Sequence, residues 1–188
     1  MSTNQLNEPT QQPATASPPA DHADAINFGW RVHQSQEAWT AKVDVKASIV
    51  LALVGAVLVA IVAGQNKDGV LTTLTGWRDY AVGAAVVMVL VALGFAGGAV
   101  FPLLGSGAKH EAQFRTNLIY FGHLRHWDTQ ELARKLQTMT QAEEIEQLAQ
   151  QVKVMSEGNW RKHKHLRRAL VCAAIAVVLL AVATLWPR

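Results

Sequence analysis

Three long stretches of the chain contain no charged residue. They cover residues 47–64, 81–104 and 169–186, and each consists mostly of Ala, Val, Leu and Ile. A helix needs about 20 apolar residues to cross ~30 Å of hydrocarbon, and backbone in lipid has to form its hydrogen bonds within a helix. The pattern therefore predicts three transmembrane helices. Too little polar sequence remains to wrap three such helices inside a soluble domain.

A helical pattern also begins near Asp21 and continues into the first apolar stretch without a break. Along it, Phe28, Val32, Ser35, Trp39 and Val43 recur three or four residues apart and so share one helix face. The sequence predicts one long helix from about residue 22 to 64, with 21–46 outside the membrane. Residues 1–20 are polar and rich in proline, which predicts a disordered tail.

The segment 105–168 is predicted to be a helical module. We expect a helix from Lys109 to His126, and the pairs Asp128/Glu131 and Thr140/Glu143 have the spacing of capping boxes that start two more helices. A heptad-like stripe follows, with an expected interruption near Gly158 and Asn159. The stripe consists of Ile145, Leu148, Val152 and Met155. Its packing partner is the 22–46 helix, the 109–139 segment or another subunit.

The fold class is therefore an all-α membrane protein with three transmembrane helices and a helical cytoplasmic module. Net charge is only +3, but 14 of the 17 Lys and Arg residues lie before residue 47 or within 105–168. Basic loops stay in the cytoplasm. We expect an inner-membrane protein with its N-terminus and 105–168 in the cytoplasm. The short 65–80 loop and the C-terminus are expected on the periplasmic side.

Small residues recur every fourth position in two of the predicted spans, a spacing that lets helix backbones approach closely. They are Ala52, Ala56, Ala60 and Gly64 in the first, and Gly94 and Gly98 in the second. Packing within one subunit and packing between subunits both remain open, and a homo-oligomer is expected.

Several classes of function are disfavoured. A lone Cys cannot form an intramolecular disulfide, and spans without charged residues do not favour a transporter. The small net charge disfavours nucleic acid as a partner. Neither a nucleophile elbow nor a phosphate-binding glycine loop is present, so we expect no enzyme and no cofactor. The histidines His123, His126, His163 and His165 are interpreted as surface residues rather than as a metal site.

Charged residues cluster where the predicted helices meet the membrane. Asp44 and Lys46 precede the first span, and a Lys/Arg-rich run at 161–168 precedes the third. Asp44 either faces solvent or pairs with the basic run, in which case Asp44 and Lys46 would couple the module to the membrane. The run itself either contacts lipid headgroups or also neutralises a small anionic ligand.

Two motifs resemble a known family. One is Asp44-x-Lys46-Ala47-Ser48 at the start of the first span, and the other is Asn117-Leu118-x-Tyr120-Phe121-Gly122, followed by Gln150-Gln151-Val152. With the spacing of the three spans they resemble PycTM, the membrane-bound effectors of Pycsar antiphage systems. The resemblance covers roughly residues 24–186.

The resemblance implies a defence mechanism. A partner uridylate or cytidylate cyclase would make cUMP or cCMP, and the effector would sense this cyclic pyrimidine mononucleotide and impair the inner membrane. The infected cell would die before phage mature, which is abortive infection. The alternative is a structural membrane scaffold that recruits a cytoplasmic partner through the helices of 105–168.

Such a ligand needs a cation for its phosphate, an aromatic face for its base and an amide for the base edge. Each candidate residue also has a purely structural interpretation, as part of a helix surface or a packing contact. The candidates are Arg115, Asn117 and Tyr120, with Trp160, Lys162 and Lys164 as a second group.

Overall fold

The structure, a computed structural model, describes residues 21–66, 69–101 and 107–186. Within these ranges the chain forms helices and no strand, which confirms the all-α fold class. The helices are α1 His22–Gly64, α2 Trp77–Val100, α3 Gly107–Ala112, α4 Phe121–Leu124, α5 Thr129–Thr138 and α6 Gln141–Leu185, with 3₁₀ turns at Val70–Thr73 and Phe114–Thr116. The expected tail at 1–20 and the end of the second predicted span at 102–104 lie outside the described residues.

Two continuous helices dominate the molecule. α1 has 43 residues and α6 has 45, so at ~1.5 Å per residue each is about 65 Å long. The side chain of Asp21 accepts the N–H of Ala23 at the start of α1. Thr140 and Glu143 form the predicted capping box at the start of α6. Because hydrocarbon is only ~30 Å thick, about half of each helix extends beyond a membrane.

Three helices, α1, α2 and α6, are long and apolar enough to cross a membrane. They pack around a seam of small residues on α2, where Ala85, Ala92, Ala96 and Ala99 are fully buried. These alanines recur at three, four or seven residues and let neighbouring backbones approach closely. α1 and α6 run parallel, because Gly29 lies beside Leu148 and Val43 packs with Leu166 further along both helices.

The packed face of α1 differs from the one that the sequence pattern indicated. Val43 is buried, but Phe28 and Trp39 are 62% and 57% exposed. α6 lies instead against the side of α1 that carries Gly29, where an added Cβ would come within 3.1 Å of the Leu148 side chain. Leu148 belongs to the predicted heptad stripe, and its partner is therefore α1 of the same chain.

Two local predictions were wrong. Lys109–His126 is not one helix: Gln113 separates α3 from the 3₁₀ turn, and Asn117, in an extended conformation, begins the segment between that turn and α4. Gly158 and Asn159 do not interrupt α6, which continues through both. Tertiary contacts override the weak helix propensity of Asn159, because its buried amide bonds to α1.

Candidate functional site

Asn117 shapes the segment that connects the 3₁₀ turn to α4. Its Oδ1 accepts the N–H groups of Ile119 and Tyr120 at 2.8 and 2.7 Å, which is the local bonding of an Asx turn. Its Nδ2 donates to Oε1 of Gln151 at 3.4 Å. Asn117 is 5% exposed, so the side chain is committed to holding Tyr120 beside α6.

Gln147 attaches the same segment to α6 from the other side. Its Oε1 accepts the N–H of Leu118 at 2.8 Å, and its Nε2 donates to the carbonyl of Thr116 at 3.1 Å. The backbone on both sides of Asn117 therefore bonds to one side chain of α6, and the Asn117 side chain bonds to Gln151 one turn further along that helix. This attachment places the aromatic residues that follow Asn117 at the gap between α1 and α6.

A cavity of about 470 Å³ occupies that gap. α1 contributes His33, Glu37 and Thr40, the segment that leads into α4 contributes Ile119, Tyr120 and Phe121, and α6 contributes Gln151, Val154, Met155, Gly158, Asn159, Arg161 and Lys162. The lining therefore combines two aromatic rings, the amides of Gln151 and Asn159, the carboxylate of Glu37 and two cations at the end of the cavity nearer the apolar stretch. Its volume lies within the ~300–1,000 Å³ range of small-molecule sites.

Lys162 connects this cavity to α1 just before that helix enters its uncharged stretch. Its ammonium lies 2.5 Å from the carboxylate of Asp44, and the two side chains are 16% and 38% exposed. Asp44 stands one turn before Ala47, the first residue of the uncharged stretch. Of the two situations that the sequence left open for Asp44, the structure forms the pair with the basic run.

Asn159 forms a buried polar layer between α1 and α6. Its Nδ2 donates to the carbonyl and to Oε1 of Gln36, and its Oδ1 accepts the hydroxyl of Thr40 at 2.6 Å. Leaving such a buried amide without partners costs about 1–3 kcal/mol, so this layer fixes the register of the two helices. It forms one wall of the cavity described above.

Tyr120 is supported from behind by two histidines. The ring of His110 lies 5.3 Å from that of Tyr120 and 5.0 Å from that of His123, centroid to centroid. Burial, followed by the nearby His110 and His126, lowers the pKa of His123. Among the described residues no group of three or more His, Cys, Asp or Glu side chains could hold a metal ion.

The six candidate ligand residues do not meet in one place. Tyr120 and Lys162 line the cavity between α1 and α6, and Asn117 is buried behind it. Trp160 is 65% exposed, and the ammonium of Lys164 lies 5.4 Å from its ring centroid, outside this cavity.

Arg115 lies elsewhere. Its guanidinium is 2.6 Å from the carboxylate of Glu131 and stacks near the ring of Phe114. It lines a separate cavity of about 770 Å³ together with Lys135 and Glu143, which form an ion pair of their own. The carboxylate of Glu131 pairs with Arg115, while the Oδ1 of Asp128 accepts the N–H groups of Gln130 and Glu131 and starts α5.

The small residues singled out in the spans have different environments. Ala52, Ala56 and Ala60 are exposed, so neither α2 nor α6 covers them. Gly94 has no atom near an added Cβ, whereas a Cβ on Gly98 would lie 2.8 Å from Nδ1 of His165. Gly98 therefore packs within the subunit, and packing of the exposed positions between subunits stays a prediction. Lys46 is exposed as well.

Sequence reasoning missed Phe121, Arg161 and Gln151 as cavity residues. One feature of the sequence is connected with this wall: Gly122 directly follows Tyr120 and Phe121. In the structure a Cβ on Gly122 would lie 2.3 Å from Cε1 of Tyr120. A glycine directly after two aromatic residues is therefore required by the position of the Tyr120 ring. Arg161 was part of the basic run, but only the helical phase of α6 shows that it faces the cavity.

These features define a class of protein: a three-span helical membrane protein whose extramembrane helices line an open cavity with aromatic and cationic residues. A family model described as the Pycsar effector protein domain, PycTM, matches residues 28–187. The chain belongs to this family, whose members are transmembrane effectors of antiphage defence paired with a cyclase through a cyclic nucleotide. No curated protein and no solved structure matches the chain significantly.

Proposed function

We propose that this effector binds a cyclic pyrimidine mononucleotide, cUMP or cCMP, and responds by impairing the inner membrane, which leads to abortive infection. The observation that carries the proposal is the cavity between α1, α6 and the Tyr120 segment. The protein is proposed to act without catalysis, as a receptor whose ligand changes its assembly in the membrane.

The walls of the cavity match the parts of such a ligand. Arg161 and Lys162 supply positive charge for the single phosphate, and charge-assisted hydrogen bonds to phosphate are stronger than neutral ones. Tyr120 and Phe121 offer ring faces for a pyrimidine, and single-stranded bases stack on aromatic side chains. Gln151 lines the same cavity, and its amide N–H groups can donate to a base edge or a ribose hydroxyl.

Lys162 supports a coupling mechanism. In the structure its ammonium is paired with Asp44, and a phosphate in the cavity would compete with that carboxylate. A ligand shifts a conformational equilibrium only by binding one state more tightly than the other. The state in which Lys162 is free of Asp44 would bind the phosphate more tightly, so the nucleotide would loosen α1 from α6 where both helices meet the membrane.

A paired binding and depolarisation experiment tests this function. The full chain in lipid nanodiscs is titrated with cUMP, cCMP and the purine counterpart cAMP, and cells that express the chain are exposed to the same nucleotides while membrane potential is recorded. We expect one pyrimidine nucleotide to bind and to depolarise the membrane. Lys162→Ala should lose both responses, and Lys153→Ala, which lies outside the α1–α6 cavity, should keep them.

Failure of both pyrimidine nucleotides to depolarise the membrane would favour a scaffold. The observation that favours this second function is the exposure of Phe28 and Trp39 on the extramembrane half of α1. Large apolar side chains exposed on one element are typical of a surface that binds a protein partner. A scaffold would tolerate Lys162→Ala but lose its partner on Trp39→Ala.

The proposed orientation places the module in the cytoplasm and the C-terminus in the periplasm. The basic residues on the module's side of the spans support it through the positive-inside tendency. A reporter that is active only in the periplasm should be active when fused after Arg188. If the same reporter is active when inserted within 129–138 and silent after Arg188, the orientation is the opposite of the one proposed.

A further inference from the structure

A smaller cavity, distinct from the two described above, lies on the other flank of α6, at the level where α6 and α2 enter the membrane. It has a volume of about 330 Å³ and is lined by Phe95, Lys164, Arg167, Arg168, Val171 and Cys172. The five α6 residues are spaced at three and four, so they form one continuous face of the helix. None of them lines the cavity between α1 and α6.

The charge of this groove is positive and uncompensated. Among the described residues, no carboxylate forms an ion pair with Lys164, Arg167 or Arg168. Lys162, on the opposite flank, differs because it is paired with Asp44. Three cations on one helix face repel each other, and an anion in the groove would relieve that repulsion.

The groove also changes from polar to apolar along α6. Its cations lie at the end nearer the module, and Val171 and Cys172 lie one turn further into the uncharged stretch. The guanidinium of Arg168 stands 5.5 Å from the ring centroid of Phe95, a cation–π contact that holds its charge near the surface of α2. A long basic side chain in this position keeps its stem in the apolar region and its charge at the headgroups.

We propose that this groove binds the phosphate group of an anionic phospholipid in the leaflet on the module's side. Lys164, Arg167 and Arg168 bind the phosphate and the negative charge, and the apolar part between Phe95, Val171 and Cys172 accommodates the start of an acyl chain. A soluble phosphate ligand would satisfy the cations but not the apolar part, and for this reason the lipid is the favoured occupant.

Native mass spectrometry of the full chain in detergent tests the site. The probes are phosphatidylglycerol, phosphatidylcholine with the same acyl chains, and inorganic phosphate. We expect retention of phosphatidylglycerol in preference to phosphatidylcholine, and no displacement by inorganic phosphate. The double variant Arg167→Gln/Arg168→Gln should weaken phosphatidylglycerol binding by about tenfold or more, since each basic residue near an anionic surface contributes about a fivefold preference.

The control removes the same charge elsewhere. Arg134→Gln/Lys153→Gln alters two exposed cations outside the groove and should bind the lipid as the unchanged chain does. Lys164→Gln is a milder second variant that leaves the Arg168–Phe95 contact in place. Equal binding of the two lipids, equal loss in the control, or displacement by inorganic phosphate would each overturn the proposal. None of these results depends on nucleotide binding.

Discussion

Lys162 on α6 pairs with Asp44 on α1 at the point where both helices leave the module and enter the apolar stretch. The ion pair is only partly shielded from water, so its contribution to stability is about 1 kcal/mol or less. An ion pair this weak can open without a large loss of stability. The pair can be exchanged for another anion without unfolding the helices around it.

Asp44→Asn should therefore sensitise the protein. Without the carboxylate, Lys162 is available to a phosphate from the start, and nucleotide affinity should rise by about two- to fivefold. Depolarisation in cells should occur at correspondingly lower nucleotide levels. Glu157→Gln removes an exposed carboxylate from α6 and serves as the control. A lower affinity in Asp44→Asn would show that Asp44 supports the ligand instead of competing with it.

Tyr120 should contribute through its ring and not through its hydroxyl. Tyr120→Phe keeps the ring face in the cavity and should bind the nucleotide nearly as well as the unchanged chain. Tyr120→Leu removes the face and should lower affinity by about tenfold, since stacking contributes ~1–3 kcal/mol per base. Isothermal titration calorimetry in nanodiscs measures the nucleotide affinity of both variants. An equal loss of affinity in the two would exclude stacking on the ring.

Asn117→Ala should loosen the segment that carries Tyr120. The substitution removes the acceptor of the Ile119 and Tyr120 N–H groups and the donor to Gln151, at a local free-energy cost of about 1–3 kcal/mol. Amide hydrogen exchange at Ile119 and Tyr120 should accelerate, while exchange in α2 should stay unchanged. Unaltered exchange at both amides would show that the Asx turn does not hold the segment.

The module should lose stability as pH falls below neutrality. Burial beside His110 and His126 lowers the pKa of His123 below its usual value of about 6.5. The unfolded chain therefore binds a proton before the folded chain does, and stability is full above about pH 6.5 and declines as pH falls through the lowered pKa. Hydrogen exchange in α4 between pH 8 and 5.5 should show this slope, and His123→Asn should flatten it.

Glycines 94 and 98 provide a matched pair in the membrane. A methyl group on Gly98 meets the ring of His165, whereas one on Gly94 meets nothing. Gly98→Ala should lower the thermal stability of the purified chain, and Gly94→Ala should leave it unchanged or raise it slightly through better helix propensity. If Gly94→Ala instead reduces the mass of the assembly in detergent, Gly94 contacts another subunit.

Sequence patterns predicted the long elements well because their causes are local. An uncharged stretch, the absence of internal proline and the Thr140/Glu143 capping box are sufficient to fix α1, α2 and α6. The Tyr120 segment could not be predicted in this way, since its shape depends on Asn117 bonding to its own backbone and on Gln147 and Gln151 of a distant helix. Which residues of α6 face the α1–α6 cavity also depends on which side of α1 packs against α6.

The sequence did indicate that Asp44 could pair with the basic run, but it did not identify which residue of that run, Lys162, is the partner. It also grouped Arg115 with Asn117 and Tyr120 as possible ligand residues, and Lys164 with Trp160 and Lys162. The structure places Arg115 beside Glu131 and Lys164 beside Trp160. Proximity along the chain was a poor guide for Arg115 because the segment around Asn117 is not helical.

The buried layer of Asn159, Gln36 and Thr40 has a mechanical consequence. Its directional bonds oppose sliding of α6 along α1, so the motion left to the two helices is a splay about this layer. Leu148 lies about 16 Å from this fulcrum on the module side, and Ala183 lies about 36 Å away on the other side. A small displacement near Leu148 would therefore be enlarged roughly twofold at the far end of the third span.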